Sequence, residues 1–285
     1  MNDKDYIFKE DGTFIIKDYN KKFAFSDFLP GIAGLYGIPF WVFYVNRNQG
    51  VISFGIKDKD HSFLEFFPAN KAFLLVESIG FRTFLKINGK FYEPFKVSNF
   101  NREEEMRIRS SSFEIFERNL DLGLEITVKY FTLPNSPIGG LIRILSIKNI
   151  SSYDINLEVL DGLCRVVPFG TSNLFLKDLS RTVEAWMRAY IKDNIAFFRL
   201  IVDPKDTSKT RYIEGANFNY SFLYDENKKV FPQLIIDPEI IFSYNLSFVL
   251  PIMFLKEKFI PQKKEVLLGK TPSSFSYFIL NIRPQ

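Results

Sequence analysis

Residues 28–55 read FLPGIAGLYGIPFWVFYVNRNQGVISFG. A glycine-rich loop over Pro30–Pro39 leads directly into an aromatic run, Phe40–Val45, that has the composition of a β-strand. The chain then turns at Asn46–Gly50 and returns over Val51–Gly55. This order of turn residues and β-forming residues predicts an antiparallel hairpin.

The glycines of the loop, Gly31, Gly34 and Gly37, have a spacing that could be mistaken for a dinucleotide-binding fingerprint. That fingerprint requires a helix N-terminus directly after the loop to hold the phosphate groups. Here a strand-like run of Phe, Trp, Val and Tyr follows, so we expect no dinucleotide site. The glycines instead indicate tight turns or a backbone that approaches a ligand closely.

The composition indicates a β protein, and the length fits either one large domain or two small domains. The chain has 285 residues, of which 46% are hydrophobic, and it contains 33 Phe and 13 Tyr, which pack well on half-buried sheets. A net charge of +4 is too balanced to indicate a nucleic acid or an anionic membrane as partner. No segment reaches the ~20 apolar residues of a membrane span. The polar N-terminus, MNDKDYIFKEDG, is unlike a signal peptide.

Cys164 is the only cysteine, which excludes an intrachain disulfide and fits a reducing cytoplasm, where we expect the protein to reside. We expect its thiol to be buried and unreactive, because the only histidine, His61, lies about a hundred residues away. One His and one Cys cannot build a zinc site, and we expect no bound metal.

Alternating hydrophobic segments separated by turn signals continue along the chain. Asn88–Gly89, between Phe81–Ile87 and Lys90–Phe95, is the strongest hairpin signal, because both residues tolerate positive φ angles. Residues 99–109 predict a charged edge or loop. Further strands are predicted at Thr13–Lys17, Phe63–Phe67, Ala72–Glu77, Ser112–Arg118, Leu124–Leu133, Gly140–Asn149, Ile155–Leu163, Ile195–Val202, Asn217–Tyr224, Leu234–Ile236, Ile240–Phe242, Ser247–Phe254 and Ser276–Ile282. The fold class is therefore mainly β, and the simplest architecture is one large antiparallel β-sandwich over residues 1–285.

One amphipathic helix is predicted to interrupt the strands, over Asn173–Tyr190. An apolar stripe at helical spacing supports it, formed by Leu176, Leu179, Val183, Trp186 and Met187. On this interpretation Trp186 is a packing residue rather than a platform for a sugar.

The sequence assigns no catalytic residue. His61 lies between Asp58, Asp60 and Ser62, but this is a polar connection between strands, and residue types alone do not make a catalytic triad. Three carboxylates adjoin apolar runs: Glu65, Asp161 and Glu184. The sequence does not show which two of these carboxylates could act together on a glycosidic bond, because that role depends on the distance between them in the folded protein.

The hairpin after the glycine loop carries a mixture of aromatic and planar polar side chains that suits sugar binding. Its members are Trp41, Tyr44, Asn46, Arg47, Asn48 and Gln49. The plainer interpretation is a packed aromatic strand with a polar tip.

Three blocks of the sequence resemble the cellobiose phosphorylase-like group of inverting glycoside phosphorylases. They are the segment 28–73, the short block Gly80–Phe84 (GFRTF) and Asp161–Trp186 (DGLCRVVPFGTSNLFLKDLSRTVEAW). The resemblance extends from about residue 20 to the end, and it implies the N-terminal β-sandwich (supersandwich) of such an enzyme. In that family an α/α barrel follows and supplies the general-acid aspartate, while inorganic phosphate is the co-substrate that attacks the anomeric carbon of a β-linked oligosaccharide.

This chain departs from the family pattern because it stops at Asn281–Gln285, where the sandwich would end, so we expect the barrel to be absent. By analogy, the domain would support a homodimer, and its loops would border the substrate. The resemblance places nine residues there: Gly31, Gly34, Tyr36, Gly37, Trp41, Tyr44, Arg47, Asn48 and Gln49.

Three hypotheses follow. The favoured one is a phosphorylase β-sandwich that is inactive alone, so the isolated chain should neither release nor consume phosphate with any β-glucoside. The second is a stand-alone carbohydrate-binding module. The third is a non-catalytic subunit that complements a barrel on a separate chain. An exposed apolar patch and self-association are expected where a barrel would cover the surface.

Overall fold

The computed structural model describes residues 5–31, 34–96, 101–205, 207–225, 228–245 and 247–285. Within these residues the chain forms 21 β-strands and three short α-helices. Every pair of neighbouring strands in its sheets is antiparallel. The prediction of a mainly β, antiparallel protein is confirmed.

The largest sheet has six strands in the order β1-β2-β9-β10-β11-β12. Its strands are β1 (Tyr6–Phe8), β2 (Phe14–Lys17), β9 (Arg102–Ile108), β10 (Ser112–Asn119), β11 (Leu124–Thr132) and β12 (Leu141–Asn149). In β11 every second residue from Leu124 is buried, as period-2 alternation requires. The charged segment 99–109 is not an edge or a loop where it is described. It supplies β9, an interior strand whose charged side chains form ion pairs with those of β10.

A five-stranded sheet has the order β19-β21-β13-β7-β8. Its strands are β7 (Phe81–Ile87), β8 (Lys90–Tyr92), β13 (Ile155–Leu163), β19 (Gln233–Ile235) and β21 (Ser274–Ile282). Asn88 and Gly89 join β7 to β8 with φ angles of 49° and 83°. This left-handed pair forms the tight hairpin that the sequence predicts.

Two four-stranded sheets complete the structure. The N-terminal one contains β3 (Ser26–Leu29), β4 (Phe40–Val45), β5 (Val51–Ile56) and β6 (Ser62–Leu64), and α1 (Ala69–Ile79) covers one of its faces. The C-terminal one, in the order β16-β15-β14-β20, contains β14 (Met187–Lys192), β15 (Ile195–Leu200), β16 (Asn217–Tyr220) and β20 (Val266–Leu268). A small hairpin, β17 (Leu223–Asp225) and β18 (Lys228–Val230), follows β16.

One hydrophobic core joins all four of these sheets. Across it, the rings of Phe81 and Tyr130 link the two largest sheets at 5.6 Å between centroids. Tyr44 stacks on Phe113 at 4.6 Å. The two largest sheets thus face each other as in a sandwich, and the smaller sheets close around the same core in a propeller-like manner.

Three segments that were predicted as strands have another structure. Ala72–Glu77 is not a strand but part of α1, because Ala72 and Val76 pack one helical turn apart against the sheet. Ile240–Phe242 belongs to the short helix α3 (Glu239–Phe242). Ser247–Phe254 is not a strand either. Its phenylalanines pack on the second face of the five-stranded sheet instead of joining a β-ladder.

The predicted helix over 173–190 is shorter than expected. It comprises α2 (Asn173–Asp178) and a 3₁₀ segment, Ser180–Trp186, and the chain then enters β14 at Met187. Ser180 has a φ of 48°, which ends the α-helix. The apolar stripe nevertheless packs together as expected, with Trp186 among its members.

Candidate functional site

The tip of the β4–β5 hairpin is buried. Asn46, Asn48 and Gln49 are 0%, 5% and 2% exposed. The Asn46 side chain accepts a hydrogen bond from the Phe25 N–H (2.8 Å) and donates one to the Phe23 carbonyl (2.8 Å). The interpretation of this tip as an exposed polar surface is therefore wrong, because the chain before β3 lies across it.

The Arg47 side chain also forms hydrogen bonds with the backbone. Its guanidinium donates to the carbonyls of Asn46 (2.7 Å) and Lys22 (2.9 Å). It borders a shallow depression of about 390 Å³, whose lysines are already ion-paired, Lys22 with Asp5 at 2.6 Å and Lys21 with Asp18 at 3.4 Å. Two of the three cations that line the depression are therefore already paired with carboxylates.

Gln49 belongs to a polar cluster between the two largest sheets. Its Nε2 donates to Thr83 Oγ1 (2.9 Å), and its Oε1 accepts from Arg143 Nη2 (2.6 Å). Arg143 also forms an ion pair with Asp161, whose Oδ1 accepts from the Thr83 hydroxyl (2.6 Å). With these partners Asp161 is a structural carboxylate, and the cluster satisfies polar groups that the core encloses.

Two predicted aromatic site residues on β4 serve packing. Tyr44 is 2% exposed, and burial raises the pKa of its hydroxyl well above the ordinary value. Trp41 is partly buried, donates its indole N–H to the Asp58 carbonyl (3.3 Å) and meets the Phe66 ring edge-on at 5.9 Å.

The glycine loop is shaped by its backbone. A Cβ on Gly31 would lie 2.2 Å from the Phe40 carbonyl oxygen, so only glycine fits. Gly34–Tyr36 form one 3₁₀ turn, and Gly37 has a φ of 60°. Residues 32 and 33 of this loop lie outside the described residues. Tyr36 is 57% exposed, so among the predicted substrate-bordering side chains it keeps the most accessible ring.

His61 and Cys164 lie in different environments, the first exposed and the second buried. His61 Nδ1 lies 2.7 Å from Asp58 Oδ1 in an exposed 3₁₀ turn. Cys164 is fully buried, and burial raises the pKa of its thiol to about 11, so it stays protonated at neutral pH. The prediction that Cys164 is buried is confirmed.

The two remaining candidate carboxylates are engaged locally. Glu184 accepts a hydrogen bond from Thr271 Oγ1 (2.9 Å). Burial raises the pKa of Glu65, and the positive charges of Lys177 and Arg165 partly offset this. In the part of the chain that the structure describes, no group of three or more His, Cys, Asp or Glu residues could hold a metal ion. No described helix is long and apolar enough to cross a membrane.

An exposed aromatic surface covers the outer face of the C-terminal four-stranded sheet. Alternate residues of its strands are buried in the protein, among them Ala189, Phe198 and Leu267. Their neighbours face outwards on the other side of the sheet. The strand register places these in three rows: Leu268–Arg188–Arg199–Phe169, Val266–Tyr190–Phe197–Phe218, and Lys192–Ile195–Tyr220. We call this set the aromatic face.

The middle row is the most aromatic. Tyr190 and Phe197 stack with their centroids 5.1 Å apart and their planes 19° from parallel. Phe218, next to Phe197, is 42% exposed, and Tyr220 in the adjacent row is 41% exposed. The rings thus form a shallow platform on rigid, paired strands rather than on a loop.

The small hairpin β17–β18 extends the aromatic face. Phe222, Tyr224 and Phe231 are all exposed, and the Tyr220 and Phe222 rings lie 5.5 Å apart. The Lys229 ammonium lies 4.1 Å from the Phe222 ring centroid and 4.3 Å from that of Tyr220, and it donates to the Tyr220 hydroxyl. This cation–π contact fixes the edge of the surface.

The aromatic face is positively charged. Arg188 and Arg199 lie directly opposite each other on β14 and β15, and Lys192 lies at the other end of β14. None of the residues in the three rows is acidic. Phe218, Tyr220, Phe222 and Tyr224 alternate in the stretch NFNYSFLY, a period-2 aromatic stripe that marks one edge of this surface in the sequence.

No family model matches this sequence, and no curated protein matches it.

Proposed function

We propose that this protein is a non-catalytic carbohydrate-binding protein and that the aromatic face binds the sugar. The observation that carries the proposal is a row of three rings on one face of an antiparallel sheet, Tyr190, Phe197 and Phe218, with Tyr220 beside it. Phe218 and Tyr220 are exposed, and Tyr190 and Phe197 are half-buried. The apolar faces of pyranose rings stack on aromatic rings, and neighbouring polar groups orient them. Exposed rings on paired strands are held in place before a ligand arrives, which limits the entropy lost on binding.

The resemblance to glycoside phosphorylases supports a β-linked oligosaccharide as the first ligand class to test. Within that interpretation the chain is the β-sandwich part of an enzyme, and the reaction with inorganic phosphate belongs to a barrel elsewhere. A cytoplasmic location forms part of the same proposal and rests on the single, buried cysteine.

Calorimetric titration with β-linked glucose oligosaccharides tests this proposal. We expect Phe218→Ala and Tyr220→Ala each to weaken binding about tenfold, or ~1.4 kcal/mol, because each removes one stacking surface. Tyr36→Ala is the matched control, since it removes an exposed ring that lies outside the aromatic face. Equal affinity in all variants would refute the aromatic face as the binding site. Binding that is weakened only in Tyr36→Ala and Trp41→Ala would place the site at the glycine loop and β4. Absence of binding to any oligosaccharide would refute the carbohydrate function.

A role as one subunit of a larger assembly is the second candidate, because the segment between α3 and β20 exposes several large apolar side chains. Tyr244 and Ile260 are 87% and 71% exposed, and Val249 and Leu250 are about half exposed at 49% and 47%. Contiguous exposed apolar surface is typical of protein–protein contacts.

A further inference from the structure

Two arginines at one end of the aromatic face form a pair of like charges. Arg188 and Arg199 are directly opposite across β14 and β15, and their side chains lie on the same face of the sheet. Like charges at such positions destabilise a sheet unless something compensates them. Neither arginine forms an ion pair within the described residues.

The acids that border this pair do not neutralise it. Glu265 is ion-paired with Lys263 at 2.8 Å. Asp193 lies in the turn between β14 and β15, at the Lys192 end of the face and away from the arginine pair. Glu214 is exposed beside Ile213, whose carbonyl accepts a hydrogen bond from Arg199 Nη1 at 2.8 Å, yet it forms no ion pair with Arg199.

Much of the donor capacity of the pair is unused. Each guanidinium has five N–H donors in a planar fork. The Nε atoms of both arginines are buried and have no hydrogen-bond partner among the described residues. The Arg188 guanidinium lies over the Tyr190 ring, with its carbon 5.3 Å from the ring centroid. An oxyanion is the acceptor that two adjacent guanidinium groups suit best.

The pair is close enough to the aromatic rows to act on the same ligand. Residues two apart on one strand are about 7 Å apart along it, so the Arg188–Arg199 row is one step from the Tyr190–Phe197–Phe218 row. A saccharide stacked on the rings would place a ring substituent beside the guanidinium groups. We infer that Arg188 and Arg199 bind the carboxylate of an acidic sugar, so that the ligand is a uronic-acid-containing oligosaccharide. This inference rests on the proposed carbohydrate function.

The test compares three oligosaccharides of equal length: one of neutral glucose, one that contains glucuronic acid, and one that carries a sulfate ester. We expect the glucuronic acid oligomer to bind at least tenfold more tightly than the neutral one at low salt. Raising the salt concentration should remove that preference and leave neutral binding unchanged, because screening acts on the charges alone. Preference for the sulfate ester over the carboxylate would overturn the assignment to a uronic acid.

Arg188→Gln and Arg199→Gln should each lower the ratio of acidic to neutral affinity to about one. Arg181→Gln is the control, since Arg181 lies in the 3₁₀ segment outside the aromatic face and is 64% exposed. Arg188→Lys keeps the charge but not the planar fork, so it should retain only part of the preference. If a glutamine variant does not fold, two measurements still test the arginine site: the salt dependence of binding by the unmodified protein, and the acidic preference of the lysine variant.

The outcomes separate the two proposals. Equal binding of neutral and acidic oligomers refutes the arginine site and leaves the carbohydrate function intact. A preference that survives in the Arg188→Gln, Arg199→Gln double variant also refutes the site. Absence of binding to all three oligomers refutes the carbohydrate function, and the inference falls with it.

Discussion

At the scale of single residues, a buried ion cluster beneath β9 and β10 gives the protein a distinctive pH response. Glu104 and Glu117 are paired in register on these strands, and both lie against Arg102, at 2.5 Å and 3.1 Å. One guanidinium thus faces two carboxylates in the core. Burial raises the pKa of Glu104 to about 7, although Arg102 and a hydrogen bond from Asn20 oppose this rise.

The raised pKa predicts that the cluster destabilises the fold at alkaline pH. Because the folded state holds the Glu104 proton more tightly than the unfolded state does, the stability from this group is full below about pH 4.5 and is lost as the pH rises through 7. Glu104→Gln imitates the protonated form. We expect it to remove this pH dependence and to raise the free energy of unfolding at pH 8 by roughly 1–3 kcal/mol.

Urea denaturation at pH 5, 6, 7 and 8 measures this effect. Glu103→Gln provides the control, since Glu103 is the adjacent residue on β9 and its side chain is 63% exposed. A Glu104→Gln protein that is less stable than the original at pH 8 would show that the carboxylate stabilises the fold when ionised.

At the scale of elements, the β7–β8 hairpin shows what local sequence can specify. Its turn residues must adopt positive φ angles, and Asn-Gly is the pair that does so at least cost. Gly89 has a φ of 83° and open space around it, so Gly89→Ala introduces backbone strain without a steric clash. We expect a loss of about 1 kcal/mol in the free energy of unfolding.

Gly140→Ala is the comparison for this hairpin, because a Cβ there would meet its nearest neighbour at an ordinary 3.5 Å and no positive φ is required. Thermal or urea denaturation of the two variants should therefore differ. If both lose the same stability, the turn conformation does not matter.

Elements whose structure depends on distant partners were harder to predict. The stretch Ala72–Glu77 is apolar enough for either a strand or a helix. It forms a helix because Ala72 and Val76, one helical turn apart, pack on a face of the N-terminal sheet. In the sequence, Asn46 and Gln49 lie in a polar turn of the kind that is usually exposed. In the structure both are buried, and they form hydrogen bonds with Tyr19 and Thr83, which are distant in sequence. The aromatic face forms only when several strands align, and the alternation within a single strand does not show that alignment. Its residues come from positions 169, 188–199, 218 and 266–268.

At the scale of the whole molecule, the segment between α3 and β20 lies over the second face of the five-stranded sheet. Arg82, which is 2% exposed, donates to the carbonyls of Phe248 and Val249, and Lys86 donates to that of Lys256 (2.7 Å). Buried cations of β7 thereby hold this segment in place, while apolar side chains such as Tyr244 and Ile260 remain exposed.

This exposed apolar segment predicts self-association through a second copy of the chain. Light scattering during size-exclusion chromatography should show an average mass that rises with protein concentration. Tyr244→Ser with Ile260→Ser should lower that mass, because both remove exposed apolar area. Leu74→Ser is the control on α1, where the side chain is 74% exposed. A clean monomer at high concentration would contradict the prediction.

Hydroxyl-radical footprinting of the protein with and without a saturating β-linked glucose oligosaccharide tests the carbohydrate-binding face most directly, because oxidation reports the exposure of individual aromatic rings. We predict protection of Tyr190, Phe197, Phe218 and Tyr220, with Tyr36 and Tyr244 unchanged. Protection of Tyr36 and Trp41 instead, or of no aromatic residue at all, would contradict the assignment of sugar binding to the aromatic face.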